Sequence, residues 1–493
     1  MRGLALWLAV LASPVVAQHE HSAGAGSTLA GPAHASAYAE GLYLLHNFEY
    51  ERAAAAFRRA QAAEPASAMA FWGEAMTYNH PLWAYQDRDR ARAALARFGS
   101  TPAARRAMAR DPREAGWLDA IEALYGEGDK PTRDRAYHAR MVSLHEADPA
   151  DVDARSFAAL ATLGLAHEGR DTALYMRAAA LLEDGFVVHP DHPGVLHYLI
   201  HSYDDPAHAP LGLRAARRYA KVAPDAGHAQ HMVSHIHLAL GDWSAVEATN
   251  VQAVKVVNAE RAAAGRAPGW CGHYNEWLAY ALDQQGKDSR ALVDNCRAEA
   301  LAQLAAGSDA SVLGAERSLF NNWAVIAVRH GVDTGRWPVA VALAAGDRNL
   351  IGQFELAYGR LLAARNDPGA AEAALADLRR DRAIIAAAMP GERPDDHESG
   401  AWLDRAVAQG EAVLVLARGD TDRGLQLLKA AATAEAALPQ PFGPPVLAKP
   451  SIELLGDELL ALGRKADAAD AYRAALAAMP GRHLALVGLE RAR

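Results

Sequence analysis

Histidine is concentrated in one stretch of this 493-residue chain, where nine of 21 histidines fall between His189 and His237. Five of the nine stand at helical spacing, in His197-Tyr-Leu-Ile-His201 and in His228-Ala-Gln-His231-Met-Val-Ser-His235. Residues three, four and seven apart share one face of an α-helix, so each run points its imidazoles the same way. Imidazole suits zinc, copper and non-haem iron better than calcium or magnesium. The two runs make one ligand field only if their faces meet.

Other residues nearby have the right chemistry to join them. Asp204 and Asp205, one turn beyond His201, extend its face with carboxylates. His208, in DPAHAP, is close enough in sequence to Asp204 to be a peripheral ligand. Asp191 with Pro193 reads as a helix start, which places His192 in a loop. His237 falls near the face of Leu238, Leu240 and Trp243 and is left out of the set. Two further motifs, LLHNFEY with His46 and EAMTYNHPLW with His80, each place a histidine beside aromatic residues at a helix end. No GxSxG, Walker A, HExxH or CxxC motif is present, so no standard chemistry is announced by motif.

The elements that position these side chains are helical. Alanine-rich periodicity dominates and no β alternation is convincing. The start, MRGLALWLAVLASPVVAQ, has Arg2, an apolar stretch from Leu4 to Ala12 and a small-residue ending before Gln18. It reads as a signal peptide over residues 1–17, so the mature protein is expected to be periplasmic or secreted, with a flexible polar tail over 18–33. Within that tail Gln18-His19-Glu20-His21 has groups that chelate copper, although a disordered tail is the stronger reading. No later segment is apolar for long enough to span a membrane. A net charge of -9 without a basic run argues against nucleic acid and anionic membranes as partners. The two cysteines, Cys271 and Cys296, exclude thiolate clusters and disulfide scaffolds as organising principles. They can pair in an oxidising compartment. If they lie on antiparallel helices around a turn at Gly286, however, Cys271 is farther from that turn than Cys296, a poor register for a bridge.

A period near 34 residues underlies the helices. Gly41, Ala53, Phe57, Ala60 and Pro65 have the same mutual spacing as Gly456, Ala468, Tyr472, Ala475 and Pro480. In this pattern small residues let two helices approach and proline ends the second one. The chain therefore resembles the tetratricopeptide-repeat (TPR) proteins, most specifically at its two ends, and reads as an exported bacterial-type member with a His-rich central groove. The resemblance implies an all-α fold, a right-handed superhelix (α-α solenoid) of about ten helical hairpins. The expected organisation is a solenoid over 34–437, a stiff Pro-rich connection over 438–450, and a C-terminal unit with its cap over 451–493. Ala388 to Gly400, containing MPGERPDDHESG, also breaks the regularity. The Pro-rich connection reads as a spacer.

In TPR proteins the first helix of each repeat lines the concave groove. By that resemblance His197 takes the same slot as His231, His201 the slot of His235, His228 that of His273, His231 that of Glu276, and His235 that of Tyr280. Adjacent first helices lie ~8–10 Å apart, which imidazoles can span with a metal between them. The expected metal ligands are thus His197, His201, His231, His235, His228, Asp204, His273 and Glu276, with zinc, copper or iron as the ion. Glu74, His46, His80, Asp205 and Tyr280 are expected to line the ligand groove, the His46 and His80 repeats facing the cluster if the superhelix curls through a full turn. Each histidine alone is ordinarily a packing residue; repetition of one pair in consecutive repeats points to a site. The resulting reading is a binding or scaffold protein that takes a protein or peptide in its concave groove, with the cluster holding a ligand or metal. The alternative is a metal-dependent enzyme with Glu276 or Glu74 as general base.

Overall fold

A computed structural model describes residues 36–307, 318–337, 349–388, 400–439 and 441–493. The signal-peptide and tail readings, and residues 389–399, lie outside the described residues. Among those described, 23 α-helices follow one another as helical hairpins, making an all-α solenoid. A two-residue antiparallel pairing of Asn79–His80 with Tyr85–Gln86 is a small exception to the all-helical reading.

The repeat signature has a direct packing cause. A Cβ at Gly41 would lie 2.8 Å from the Phe57 ring, and one at Gly73 2.3 Å from it. The ring thus lies on the bare backbones of two helices, Ala37–His46 and Ala68–Met76. Tyr472 does the same between Gly456 and Gly488, at 2.8 and 2.2 Å. Aspartates cap many of the helices, with Asp151, Asp171 and Asp242 each accepting a backbone N–H of the first turn. Such caps are worth about 1 kcal/mol each.

Apolar burial divides into two large cores, one running from Tyr43 to Ala239 and one from Cys271 to Ala492. A small cluster of Trp243, Val246, Trp277, Tyr280 and Ala281 lies between them. The chain curls until both ends touch the middle. Tyr43 donates to Asp225 at 2.8 Å, Arg52 pairs with Asp225 and Glu260, and Tyr219 donates to Asn47 at 2.7 Å. At the other end Trp243 donates from Nε1 to the Gly481 carbonyl at 2.7 Å. Gly241, at φ 72°, lies so close to Pro480 that a Cβ would meet its carbonyl oxygen at 2.4 Å, so both the conformation and the approach require glycine.

One expectation is corrected here, and one open alternative is decided. The Pro-rich connection is not a spacer between separate parts. Residues 446–451 are buried, Arg329 donates to the Pro445 carbonyl, and Gln409 and Tyr358 donate to the Lys449 carbonyl. Gly443 lies against the Trp277 indole, and Phe442 against Tyr175 and Arg170. This strap occupies the centre around which the helices curl. Buried Arg482 fixes it further, bonding the Ala448 carbonyl, Glu453 and the Tyr280 hydroxyl. The cysteines, whose pairing the sequence left open, form a disulfide. Cys271 precedes helix His273–Gln284, and that helix touches Arg290–Ala305 little along its length while packing on Trp243–Ala263 and Leu319–Thr334. The register of side-by-side antiparallel helices therefore does not govern this pair.

Candidate metal centre

Three helices carry the central histidines. Pro193–Ser202 begins on Pro193, whose fixed φ suits the first turn, and every residue from Gly194 to Ser202 is buried. Its N-cap is His192, whose Nδ1 accepts the Val195 N–H, so His192 is a capping residue rather than a free loop residue. Gly227–Ala239 carries His228, His231 and His235, all buried. His273–Gln284 starts after Gly272 at φ 106° and presents His273, which is half-buried.

Four histidines expected to form one site are divided between two. His197, His201 and His228 form one group, and His231, His235 and His273 another, with the ligand atoms of each group within 4.8 Å of one another. In the first, His197 Nε2 lies 3.1 Å from His201 Nε2 and 2.9 Å from His228 Nε2. In the second, His231 Nε2 lies 3.0 Å from His235 Nε2, and the His231 and His273 ring centres are 4.5 Å apart. The groups adjoin where the His201 and His235 rings come within 6.2 Å. Neighbouring repeats are offset along the helix axis, so the 197/201 pair meets the first turn of the next first helix, at His228, instead of its 231/235 pair.

Protons in the second group follow from its partners. Asn250 donates from Nδ2 to the Val246 carbonyl, which leaves its Oδ1 facing His231 Nδ1 at 2.8 Å. Ser234 gives its hydroxyl proton to the His231 carbonyl at 2.6 Å. His231 Nδ1 must therefore carry the proton and donate. His235 Nδ1 faces the Asp204 carboxylate at 2.6 Å and must also donate. In neutral imidazoles that leaves two Nε2 lone pairs facing each other at 3.0 Å, an arrangement that requires a cation between them. A metal ion or a proton shared between the two nitrogens meets that requirement. Burial, followed by the neighbouring His273 and His235, holds the His231 pKa well below that of ordinary histidine. Each Nδ1–H held by an acceptor is also how ligating imidazoles are oriented toward a metal.

The first group repeats this pattern in part. His197 Nδ1 donates to the His46 carbonyl at 2.6 Å, leaving its Nε2 as a lone pair toward two other imidazole nitrogens. Burial lowers the His197 pKa to about 3 and that of His201 well below the usual value. An aromatic ring covers each group. Phe48 lies 4.3, 5.9 and 5.5 Å from His197, His201 and His228, and Trp277 lies 4.6, 4.4 and 5.3 Å from His231, His235 and His273. Metal–nitrogen bonds of about 2.0–2.1 Å in a tetrahedron place nitrogens about 3.3 Å apart, so small ring movements suffice to seat an ion with one position left open.

A third group, His46, Asp153 and His192, is equally compact. His192 Nδ1 is an acceptor, so its Nε2 carries the proton and donates to Asp153 Oδ1 at 3.1 Å. His46 accepts the Tyr198 hydroxyl at Nδ1, 3.1 Å, and donates from Nε2 to the same carboxylate oxygen at 2.9 Å. Burial works against the Asp153 charge, but the hydrogen bonds from His192 and His46 hold its pKa below the carboxylate range.

The other expected residues are dispersed. Asp204 stays with His235, while Asp205 turns to Arg170 and His208 at 2.9 and 2.8 Å. Glu276 pairs with the Arg329 guanidinium. Tyr280 is buried against Trp243 and Arg482 rather than lining an open groove. Glu74 is buried among Arg58, Arg97 and Gln61, far from a base's access to a central metal, and these partners outweigh burial to lower its pKa. His80 stacks on Tyr50 at 3.8 Å and is separated from His228 by the Trp83 ring, which lies 6.3 Å from each. His46 supplies its carbonyl to His197. Asn250, Trp277 and Phe48 were not singled out from the sequence. For Asn250 a signal existed, since it interrupts the buried stripe Val246, Ala253 and Val257.

No protein-family model matches the chain, and no curated protein does. Among solved structures it is similar to the monomeric mutant of IFIT1 with Gppp-AAAA, at 12% identity over 92% of this chain and 94% of that one, TM-score 0.39. The TPR domain of P58(IPK) is 11% identical over 92% and 95%, TM-score 0.25.

Proposed function

We propose that this chain is an exported helical-repeat protein that binds a transition metal through buried imidazoles, with His231, His235 and His273 as ligands and Asp204 and Asn250 orienting them. The observation that carries the reading is the pair of Nε2 atoms 3.0 Å apart whose Nδ1 protons are both committed elsewhere. A proton would satisfy two nitrogens; the third imidazole, within 4.8 Å of both, favours a metal. The all-nitrogen set favours zinc or copper. Export is supported by the leader-like residues 1–17 and by the Cys271–Cys296 disulfide, a bond typical of oxidising compartments. A scaffold that takes a partner peptide in its concave face would first have to displace the strap of residues 441–450, whereas metal binding requires no such opening.

Elemental analysis of the purified full chain tests the reading. It predicts stoichiometric metal, of which one equivalent is lost in a His231→Ala, His235→Ala variant that keeps its helical circular dichroism. A folded wild-type protein that is isolated without metal and takes up neither zinc nor copper on titration would overturn it.

A further inference from the structure

We propose that the chain holds two metal ions one repeat apart, the second bound by His197, His201 and His228. This rests on the reading of His231, His235 and His273 as a metal site and adds a second, separate site of the same ligand class.

The two groups are the same construction shifted by one repeat. A pair four residues apart on one first helix, His197 with His201 or His231 with His235, meets a single histidine from the next first helix, His228 or His273. Helix 227–239 serves both, giving His228 to one group and His231 and His235 to the other. Hydrogen bonding alone does not account for the first group. The His46 carbonyl takes the Nδ1 proton of His197, and the remaining in-plane lone pair on Nε2 can accept one well-directed bond. Two imidazole nitrogens nevertheless stand 3.1 and 2.9 Å from it. An ion among the three nitrogens uses all of their lone pairs at once. All three side chains are buried, as a structural imidazole site requires.

One of the three positive-φ residues other than glycine among the described residues lies at the same place. Phe48 sits at φ 56°, in the left-handed region that a side-chain-bearing residue rarely adopts, and this conformation puts its ring against all three imidazoles. The turn that holds it also supplies the His46 carbonyl. The first repeat thus closes the first group as Trp277 closes the second.

Calorimetric titration of the metal-free full chain with zinc tests the inference, with His201→Asn and His235→Asn variants confirmed as folded by circular dichroism. His201 is the most exposed member of its group, and His235 is more exposed than His231; His228→Gln replaces His201→Asn if the latter does not fold. The expected result is two equivalents bound by wild type and one by each variant. One equivalent in wild type, unchanged in His201→Asn and absent in His235→Asn, would overturn the second site and leave the first reading standing. One equivalent that depends on His201 alone would overturn the pair and move the metal to the other group. No binding by wild type would overturn both.

Discussion

The group His231, His235 and His273 and the group His46, Asp153 and His192 are alike in compactness and in carrying metal-ligand side chains, yet their protons are arranged oppositely. In the first, carbonyl and carboxylate oxygens take the Nδ1 protons and turn two bare Nε2 atoms toward each other. In the second, His192 Nδ1 accepts the Val195 N–H and His46 Nδ1 the Tyr198 hydroxyl, so both Nε2–H groups donate to one carboxylate oxygen. The first is incomplete without a cation, and the second is complete as a hydrogen-bonded cluster. Proximity of ligand-type residues is common to both; what distinguishes them is which nitrogen is already in use.

Removing the metal is expected to have the largest effect. An ion present at 100 to 1,000 times its dissociation constant stabilises the fold by about 3–4 kcal/mol. A chelator should therefore lower the melting temperature of the wild-type protein by several degrees, and should lower that of a His231→Ala, His235→Ala variant by less, because only the His197, His201 and His228 group can still hold an ion there. Next come the two carboxylates. Asp204→Asn removes the charge behind His235 and should weaken zinc binding about 10- to 100-fold in a competition titration. Asp153→Asn should leave zinc affinity unchanged and instead cost about 1–3 kcal/mol in denaturant unfolding, because buried donors lose a charged acceptor. Equal effects of the two substitutions on zinc affinity would erase the distinction between the groups.

The smallest effect is on pH dependence in metal-free protein. His197 has a folded pKa of about 3 against an ordinary value near 6.5, so between these pH values the unfolded chain binds a proton that the folded chain does not. Its contribution to stability is thus full above the unfolded value and falls by about 1.4 kcal/mol per pH unit below it. Asp153 has a depressed folded pKa, so its contribution is present above the ordinary carboxylate value and is lost only as the pH falls below that value. Unfolding measured across pH should show the imidazole loss beginning near 6.5 and the carboxylate loss beginning near 4. Added zinc should suppress the first loss only.

Much of the fold was legible because its cause is local. The Gly41–Phe57 and Gly456–Tyr472 spacings reflect a ring packed on a bare backbone. The equivalence of His197 with His231, His201 with His235 and His228 with His273 was also readable. Their division into two groups was not, since it depends on the axial offset between neighbouring repeats, which spacing within a helix does not encode. The strap was hidden for a different reason. A Pro-rich composition describes backbone stiffness, whereas the burial of residues 446–451 comes from Arg329, Gln409 and Arg482, contributed by distant helices. Glu276 illustrates the same limit, since the slot was identified and the guanidinium opposite it was not. The disulfide stayed open in the sequence because distance from the turn at Gly286 does not encode that helix 273–284 packs on 243–263 and 319–334 and hardly on 290–305.

The most direct measurement is X-ray absorption at the zinc edge on the loaded full chain. The account predicts a first shell of nitrogen at about 2.0–2.1 Å with the multiple-scattering signature of imidazole, about three imidazoles per ion and no sulfur. It also predicts that His235→Asn lowers the zinc content without changing the kind of shell that remains. A first shell dominated by carboxylate oxygen, or a spectrum and zinc content indifferent to His231 and His235, would contradict the claim that the committed Nδ1 protons mark a metal centre.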